Sequence, residues 1–138
     1  MVILAVDLGK ARTGLAICDK TELLASPLPQ ISEKNMDVLS DKISEIVKEK
    51  AVELIVLGLP KNMDGSEGES AQNAREFAQV LKEKTGLIVK MQDERGTTIT
   101  AHNYLNATNT RGKKRKNVVD SVAATIILQN FLDSRKNF

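Results

Sequence analysis

The chain has one cysteine, one histidine, no tryptophan, one tyrosine and three phenylalanines among its 138 residues. A lone Cys18 excludes a disulfide framework, and no Cys/His set with zinc spacing can be assembled. No run approaches the 18 apolar residues of a membrane span, so no membrane association is expected. The N-terminus shows no basic region followed by a long apolar stretch, so no secretory signal is expected and the expected compartment is cytoplasmic. Gly-Lys-Ser/Thr is missing from the glycine-bearing loop Lys61 to Glu69, which excludes a nucleotide P-loop. No Gly-x-Ser-x-Gly elbow exists for a serine nucleophile. Internal repeats and low-complexity segments are likewise missing.

What remains has the composition of an ordinary globular protein, 41% hydrophobic and 28% charged. Against a prior of about 150 residues per domain, residues 1–138 read as one domain. The net charge of +2 says little, but its distribution is uneven. From Arg95 to Val119 there is no acidic residue, while Arg95, Arg111, Lys113, Lys114, Arg115 and Lys116 contribute six positive charges. The remainder carries 14 basic against 18 acidic residues. A basic segment on a mildly acidic body points to an anionic partner held at one place.

Val2 to Val6 is a continuous apolar run, as in a strand buried on both faces. A second strand is expected from Thr13 to Cys18. A third, from Leu23 to Leu28 beside Pro27 and Pro29, belongs at an edge because proline cannot donate to the ladder. Such short connections predict an antiparallel meander. Met36, Leu39, Ile43, Ile46 and Val47 then recur at helical spacing, predicting a helix over Asn35 to Lys50. Leu54 to Leu57 predicts a fourth strand ending at Gly58-Leu59-Pro60. Ala71 to Leu81 predicts a second helix stopped at Gly86, and Leu87 to Gln92 a fifth strand. A third helix is expected from Thr97 or Thr98 to Leu105, a polar basic loop from Asn106 to Asn117, and a mostly apolar last helix from Val118 to Leu132. The order β-β-β-α-β-α-β-α-α predicts an α/β fold with a mixed five-stranded sheet, three antiparallel strands then parallel β-α-β units, and helices on both faces.

Ligand sites of such sheets lie at the carboxyl ends of parallel strands. Asp7 ends strand one, Asp93-Glu94 ends strand five, and Asp120 opens the last helix behind the basic loop. Hard oxygen donors brought together from different elements suit Mg²⁺, and a basic loop beside them suits a nucleic-acid backbone. Each has a plainer reading. Asp7 serves equally as a turn residue, Asp120 as a helix N-terminal acid, Glu94 as a surface ion-pair partner, and Arg111 to Lys116 as a solvated loop. Their convergence on one sheet end favours the joint reading. His102 reads as a surface residue and Cys18 as an inert core thiol. The loop Lys61 to Glu69 is long enough for a mobile cover over substrate.

Four ordered motifs carry a resemblance. Asp7-Leu8-Gly9-Lys10-Ala11-Arg12-Thr13-Gly14 resembles the opening motif of the YqgF/RuvX family, the Holliday-junction-resolvase-like pre-16S rRNA nucleases. Gly58-Leu59-Pro60 with Met63-Asp64-Gly65-Ser66 resembles its central loop, and Asp93-Glu94-Arg95-Gly96-Thr97-Thr98 its second acidic motif. Lys114-Arg115-Lys116 with Val119-Asp120-Ser121-Val122-Ala123-Ala124 resembles its C-terminal signature. The resemblance implies an RNase H-like fold and a metal-dependent nuclease, a hydrolase that processes the 5′ end of pre-16S rRNA in ribosome biogenesis. It implies Asp7, Glu94 and Asp120 as catalytic, metal-associated acids for Mg²⁺ or Mn²⁺. In related true junction resolvases an acid ends the fourth strand and another follows the helical aspartate by three residues. Here Gly58-Leu59-Pro60 and Ala123 occupy those places.

Arg12, Arg95, Arg111, Lys113, Lys114, Arg115 and Lys116 are the expected phosphate contacts, and structured RNA or branched DNA the expected partner of a monomer or homodimer. Few aromatics leave few platforms for base stacking, so recognition by shape and backbone is expected. Two alternatives stand beside the RNA nuclease: a resolvase cutting branched DNA, and a non-catalytic RNA-binding assembly or transcription factor. A geometric demand also follows. With strand five beyond strand four, Glu94 starts roughly 10 Å from Asp7, so the chain after Gln92 must bend inward.

Overall fold

The computed structural model describes residues 1–94 and 112–136, with side chains in the second stretch from Ser121 to Arg135. Its elements are β1 (Ile3–Asp7), β2 (Arg12–Ile17), β3 (Ser26–Ser32), α1 (Met36–Glu49), β4 (Leu54–Leu59), α2 (Glu69–Thr85), β5 (Val89–Asp93) and α3 (Gly112–Lys136). They form a five-stranded sheet in the order β3-β2-β1-β4-β5. β1 to β3 pair antiparallel, and β1, β4 and β5 run parallel. This is the mixed sheet expected from the order of apolar runs.

Alternation along the central strands feeds two cores. Leu4, Val6, Leu15, Ile55 and Leu57 pack with Leu39 and Ile43 of α1 and Phe77 and Leu81 of α2. Ile3, Ala5, Ala16, Leu54 and Val56 pack with Ala124, Ile127, Leu128 and Leu132 of α3. Residues of one parity on β1 and β4 therefore face α3, and both Asp7 and Gly58 belong to that parity. α3 runs down the sheet from its functional end. Ile127 lies by Gly58, Gln129 accepts from the Ala25 N–H at 3.0 Å, and Arg135 pairs with Glu22 at 2.9 Å at the opposite edge.

Several boundaries differ from the expected ones for physical reasons. β3 begins at Ser26, three residues later than the apolar run at Leu23, and Leu23 and Leu24 are exposed. It is an edge strand that contains both prolines. Pro27 pairs with Ala16, and Pro29 falls where the register shifts between Thr13 and Leu15, so its missing N–H breaks no regular rung. β5 starts at Val89, because the Leu87 N–H is still held by the Thr85 hydroxyl at 3.2 Å. Gly86 closes α2 at φ 72°, as expected of a C-terminal stop.

The larger correction concerns α3, which opens at Gly112 rather than Val118. Lys113 to Lys116 therefore stand on the first turns of a helix, not in a loop. Lysine and arginine are good helix formers, and the polarity of the run misled the expectation. The expected third helix from 97 or 98 to 105, with His102, lies outside the described residues.

The connection after β4 is closed on itself. Lys61 bridges Glu67, the Asn62 N–H donates to Ser66 O at 2.8 Å, and the Ser66 N–H donates to Asp64 Oδ1 at 2.9 Å. Arg75 of α2 grips Glu67 through two bonds of 2.7 and 2.8 Å. These bonds describe a hairpin tied to α2. Among the described residues no helix is long and apolar enough to cross a membrane.

Candidate metal and nucleic-acid site

Asp7 is the last residue of β1 and pairs in register with Gly14 of β2. Two residues on, Gly9 lies against the backbone of Arg12 so closely that a Cβ would meet the Arg12 carbonyl oxygen. The turn after Asp7 therefore needs glycine there. Glu94 follows β5, and its N–H donates to Leu59 O at 3.1 Å, prolonging the β4–β5 ladder by one rung. Its side chain turns inward across β4 and shares a hydrogen bond with the Asp7 carboxyl. The separation of two strand spacings is thus crossed, and the crossing is made over Gly58.

Gly58 pairs with Gln92 on the α3 face of β4. A Cβ built on it would collide with Glu94 Oε2 and lie 2.9 Å from Glu94 Cδ and 2.8 Å from Ile127 Cδ1. Real Cβ atoms essentially never come so near. Glu94 thus lies in a slot floored by a bare backbone and walled by Ile127.

This slot sets the electrostatics of the pair. Burial pushes the Glu94 carboxyl up from 4.5 to about 9, and the negative Asp7 beside it, hydrogen-bonded to it, adds to the rise, with Asp93 adding less. Like charges brought together away from water resist joint ionisation unless a cation lies between them. At neutral pH the pair is therefore held together by one proton. The same two oxygen-rich groups suit Mg²⁺ or Mn²⁺, which prefer carboxylate and water ligands. Among the described residues no group of three metal-binding side chains gathers.

Asp120 lies on α3, four residues before the buried Ala124 and seven before the buried Ile127. Its side chain, like those of Lys113, Lys114, Arg115 and Lys116, is outside the described set, as are Arg95 and Arg111 altogether. Ala123 is buried, with 2% of its surface exposed, three residues after Asp120. Arg12 is half-buried at the start of β2, at the same sheet end as Asp7, and Lys10 is exposed in the turn between them. α3 has no acid in its first turn, whereas α1 has Asp37 and α2 has Glu69. A helix start rich in cations opposes its own dipole, an arrangement that a polyanion relieves.

Sequence reasoning marked Gly58 as the end of the fourth strand but not as the floor beneath Glu94, and it did not single out Ile127. A signal for Gly58 existed: a glycine inside the apolar run Leu54-Ile55-Val56-Leu57-Gly58-Leu59 often marks close approach by another group.

Comparison with known proteins agrees with this architecture. The sequence pattern of the family described as "RuvX: Holliday junction resolvase" matches residues 1–134. A Clostridium novyi protein named "Putative pre-16S rRNA nuclease" is 41% identical over 134 residues, covering 97% of this chain and 99% of that protein. A Bacillus thuringiensis protein of the same name is 42% identical over 137 residues, covering 98% and 100%. In fold, Thermus thermophilus RuvC matches at a TM-score of 0.59 and 14% identity, over 99% of this chain and 96% of that one. A fowlpox virus resolvase bound to Holliday junction DNA matches at 0.62 and 11%, over 98% and 99%. The fold is that of the RNase H-like resolvases.

Proposed function

This chain belongs to the RuvX family, and from that premise we propose that it is a metal-dependent nuclease that hydrolyses phosphodiester bonds in structured RNA, at the 5′ end of pre-16S rRNA, in the cytoplasm. The observation that carries this reading is the Asp7–Glu94 pair, two carboxyls pressed together over a strand that has no side chain to separate them. The names of the relatives point to the RNA substrate.

In this reading Asp7 and Glu94, joined by Asp120 from α3, hold Mg²⁺ or Mn²⁺. Such an ion, when bound, supplies Lewis acidity at a phosphate oxygen and lowers the pKa of a bound water. With such an ion in place Glu94 would bind as the carboxylate, its proton having passed to solvent. Ile127 keeps water from the inner side of the pair. Arg12, Arg95, Arg111, Lys113, Lys114, Arg115 and Lys116 contact phosphates and place the backbone across the acids.

The test is purified protein with labelled precursor RNA and with four-way DNA junctions, each with and without Mn²⁺. Wild type is expected to cut the RNA only with metal, and Asp7→Asn to leave it intact. Cleavage undiminished in Asp7→Asn sinks the site assignment. The family's description favours a second reading, in which branched DNA is the substrate. It requires preferential junction cleavage and a dimer in light scattering, because two strands must be cut. RNA binding that needs the lysines and ignores the acids would instead mark a non-catalytic assembly factor.

Salt supplies a separate prediction. Replacing Lys113, Lys114, Arg115 and Lys116 together by alanine is expected to make the log–log salt dependence of RNA binding shallower by roughly 3. An unchanged slope in a filter-binding titration would remove the start of α3 from the interface.

A further inference from the structure

Asp7 stands between two glycines. Gly14 of β2 pairs with it on one side, and the rung after Val6–Leu57 sets Gly58 of β4 beside it on the other. Both glycines are buried and neither takes a left-handed φ, so what they supply is space on the α3 face. Glu94 fills the space over Gly58. On the Gly14 side the next strand is β3. Thr13 pairs with Ile31 and Leu15 with Leu28, so Pro29 and Gln30 both stand opposite Gly14, as a bulge. Leu28 and Ile31 pack toward the core under α1 and α2, which turns Pro29 and Gln30 to the α3 face. There the Ser121 hydroxyl of α3 donates to Leu28 O at 2.9 Å. Gln30 Oε1 is buried, and it has no hydrogen-bond partner among the described residues. β3 is the outer strand of the described sheet, so a buried oxygen on it lies inward, on the side of β2. Buried acceptors are nearly always paired, and an exception calls for a cause.

We infer that Gln30 is a positioning residue of the site, whose amide oxygen accepts a hydrogen bond from the hydration shell of a divalent ion held at Asp7. This rests on the reading of Asp7 as a metal ligand given above. Gln30 starts two strand spacings from Asp7, roughly 10 Å, the span that Glu94 crosses from the other edge of the sheet. Glu94 bonds Asp7 directly because it carries a proton. Gln30 Oε1 and the Asp7 carboxylate are both acceptors, so only a donor set between them joins them. Mg²⁺ keeps several waters when carboxylates bind it, and those waters present O–H groups outward. An acceptor without a partner does not hold its side chain in place. The terminal torsion of glutamine is soft, so the amide turns readily toward a donor that arrives. Asp7 then has a charged neighbour on its Gly58 flank and a neutral acceptor on its Gly14 flank.

The test is Mn²⁺ binding by titration calorimetry, with thermal unfolding in EDTA recorded for each protein. Four proteins suffice: wild type, Gln30→Met, Gln30→Glu and Asp7→Asn. Methionine keeps the length and unbranched shape of glutamine and removes the amide. Gln30→Met is expected to weaken Mn²⁺ binding about tenfold, the lower end of what loss of an outer-shell partner costs. Without metal it should melt no lower than wild type, because an acceptor with no partner has been removed. Gln30→Glu keeps an acceptor at the same reach and is expected to bind within about threefold of wild type or more tightly. Wild-type affinity in Gln30→Met overturns the inference, and so does a folded Gln30→Glu as weak as Gln30→Met. A Gln30→Met protein that melts clearly lower, or without cooperativity, overturns it too, since the amide is then a structural group. Where Gln30→Glu fails to fold, the Gln30→Met arm decides alone. Wild-type affinity in Asp7→Asn has a different meaning: the ligand reading itself fails, and the inference with it.

Discussion

Glu94→Gln is expected to lower Mn²⁺-dependent cleavage by a factor on the order of 10²–10³ while stabilising the metal-free protein at pH 7. The two effects have one cause. In the folded chain the Glu94 carboxyl is held up at about 9 by burial and by Asp7, whereas in the unfolded chain it ionises near 4.5. At pH 7 folding must therefore return a proton to Glu94, at a cost of about 1–3 kcal/mol once its partial exposure is allowed for. Glutamine has the shape of the neutral acid and can still donate to the Asp7 carboxylate, but it has no proton to recover. The same glutamine cannot become the anion that a divalent cation needs. Urea unfolding in EDTA measures the first effect, and single-turnover cleavage of labelled RNA the second. Activity and stability falling together would make Glu94 a packing residue.

Opposite signs of this kind are what distinguish a site from a structural ion pair. Lys84 bridges Asp37 and Asp41 at 2.7 and 2.8 Å across α1 and α2, on the surface. Removing it should alter little, since exposed pairs contribute at most about 1 kcal/mol. Glu94 instead stands beside an acid, in a slot that a methyl group would fill.

The sheet was legible in the sequence because its strands are labelled by burial. Val2 to Val6 and Leu54 to Leu57 have no other stable place than the middle of a covered sheet, and both lie there. Pro27 and Pro29 marked the edge correctly, but the strand containing them extends to Ser32, since pairing to β2 rather than apolarity sets its end. The start of α3 was misread because charge was taken for loop. A helix interior tolerates lysine as well as it tolerates leucine, so composition could not place that boundary. For the site, strand ends picked out Asp7 and Glu94 as candidates. Their meeting could not be read in the same way, because it depends on what residue 58 lacks and on a side chain that crosses a neighbouring strand. Periodicity records which face a residue takes, not how far a side chain reaches across the next strand.

Metal binding and pH should be linked through the same proton. Because the folded pKa of Glu94 is raised, its contribution to stability is fully present below about 4.5 and is lost progressively as pH rises toward about 9. Without metal, the unfolding free energy should therefore decline across that window more steeply than in Glu94→Gln. When a cation takes the place of the proton, each binding event releases one proton, and the apparent affinity rises about tenfold per pH unit below 9. Between pH 6 and pH 8 that amounts to roughly 100-fold. Calorimetry in two buffers of different ionisation enthalpy counts the proton directly. Wild type should release close to one per Mn²⁺ bound near pH 7, and Glu94→Gln close to none. The sign matters as much as the size. An ordinary exposed carboxylate, already ionised above pH 5, would leave affinity flat over the same range. A flat profile in wild type would mean that Glu94 exchanges no proton on binding the ion, either because it keeps its proton or because it has already lost it, and would overturn the linkage. A slope that survives in Glu94→Gln would move the titrating group elsewhere. Only a slope present in wild type and lost in the glutamine variant joins the buried pair at the end of β1 to metal binding.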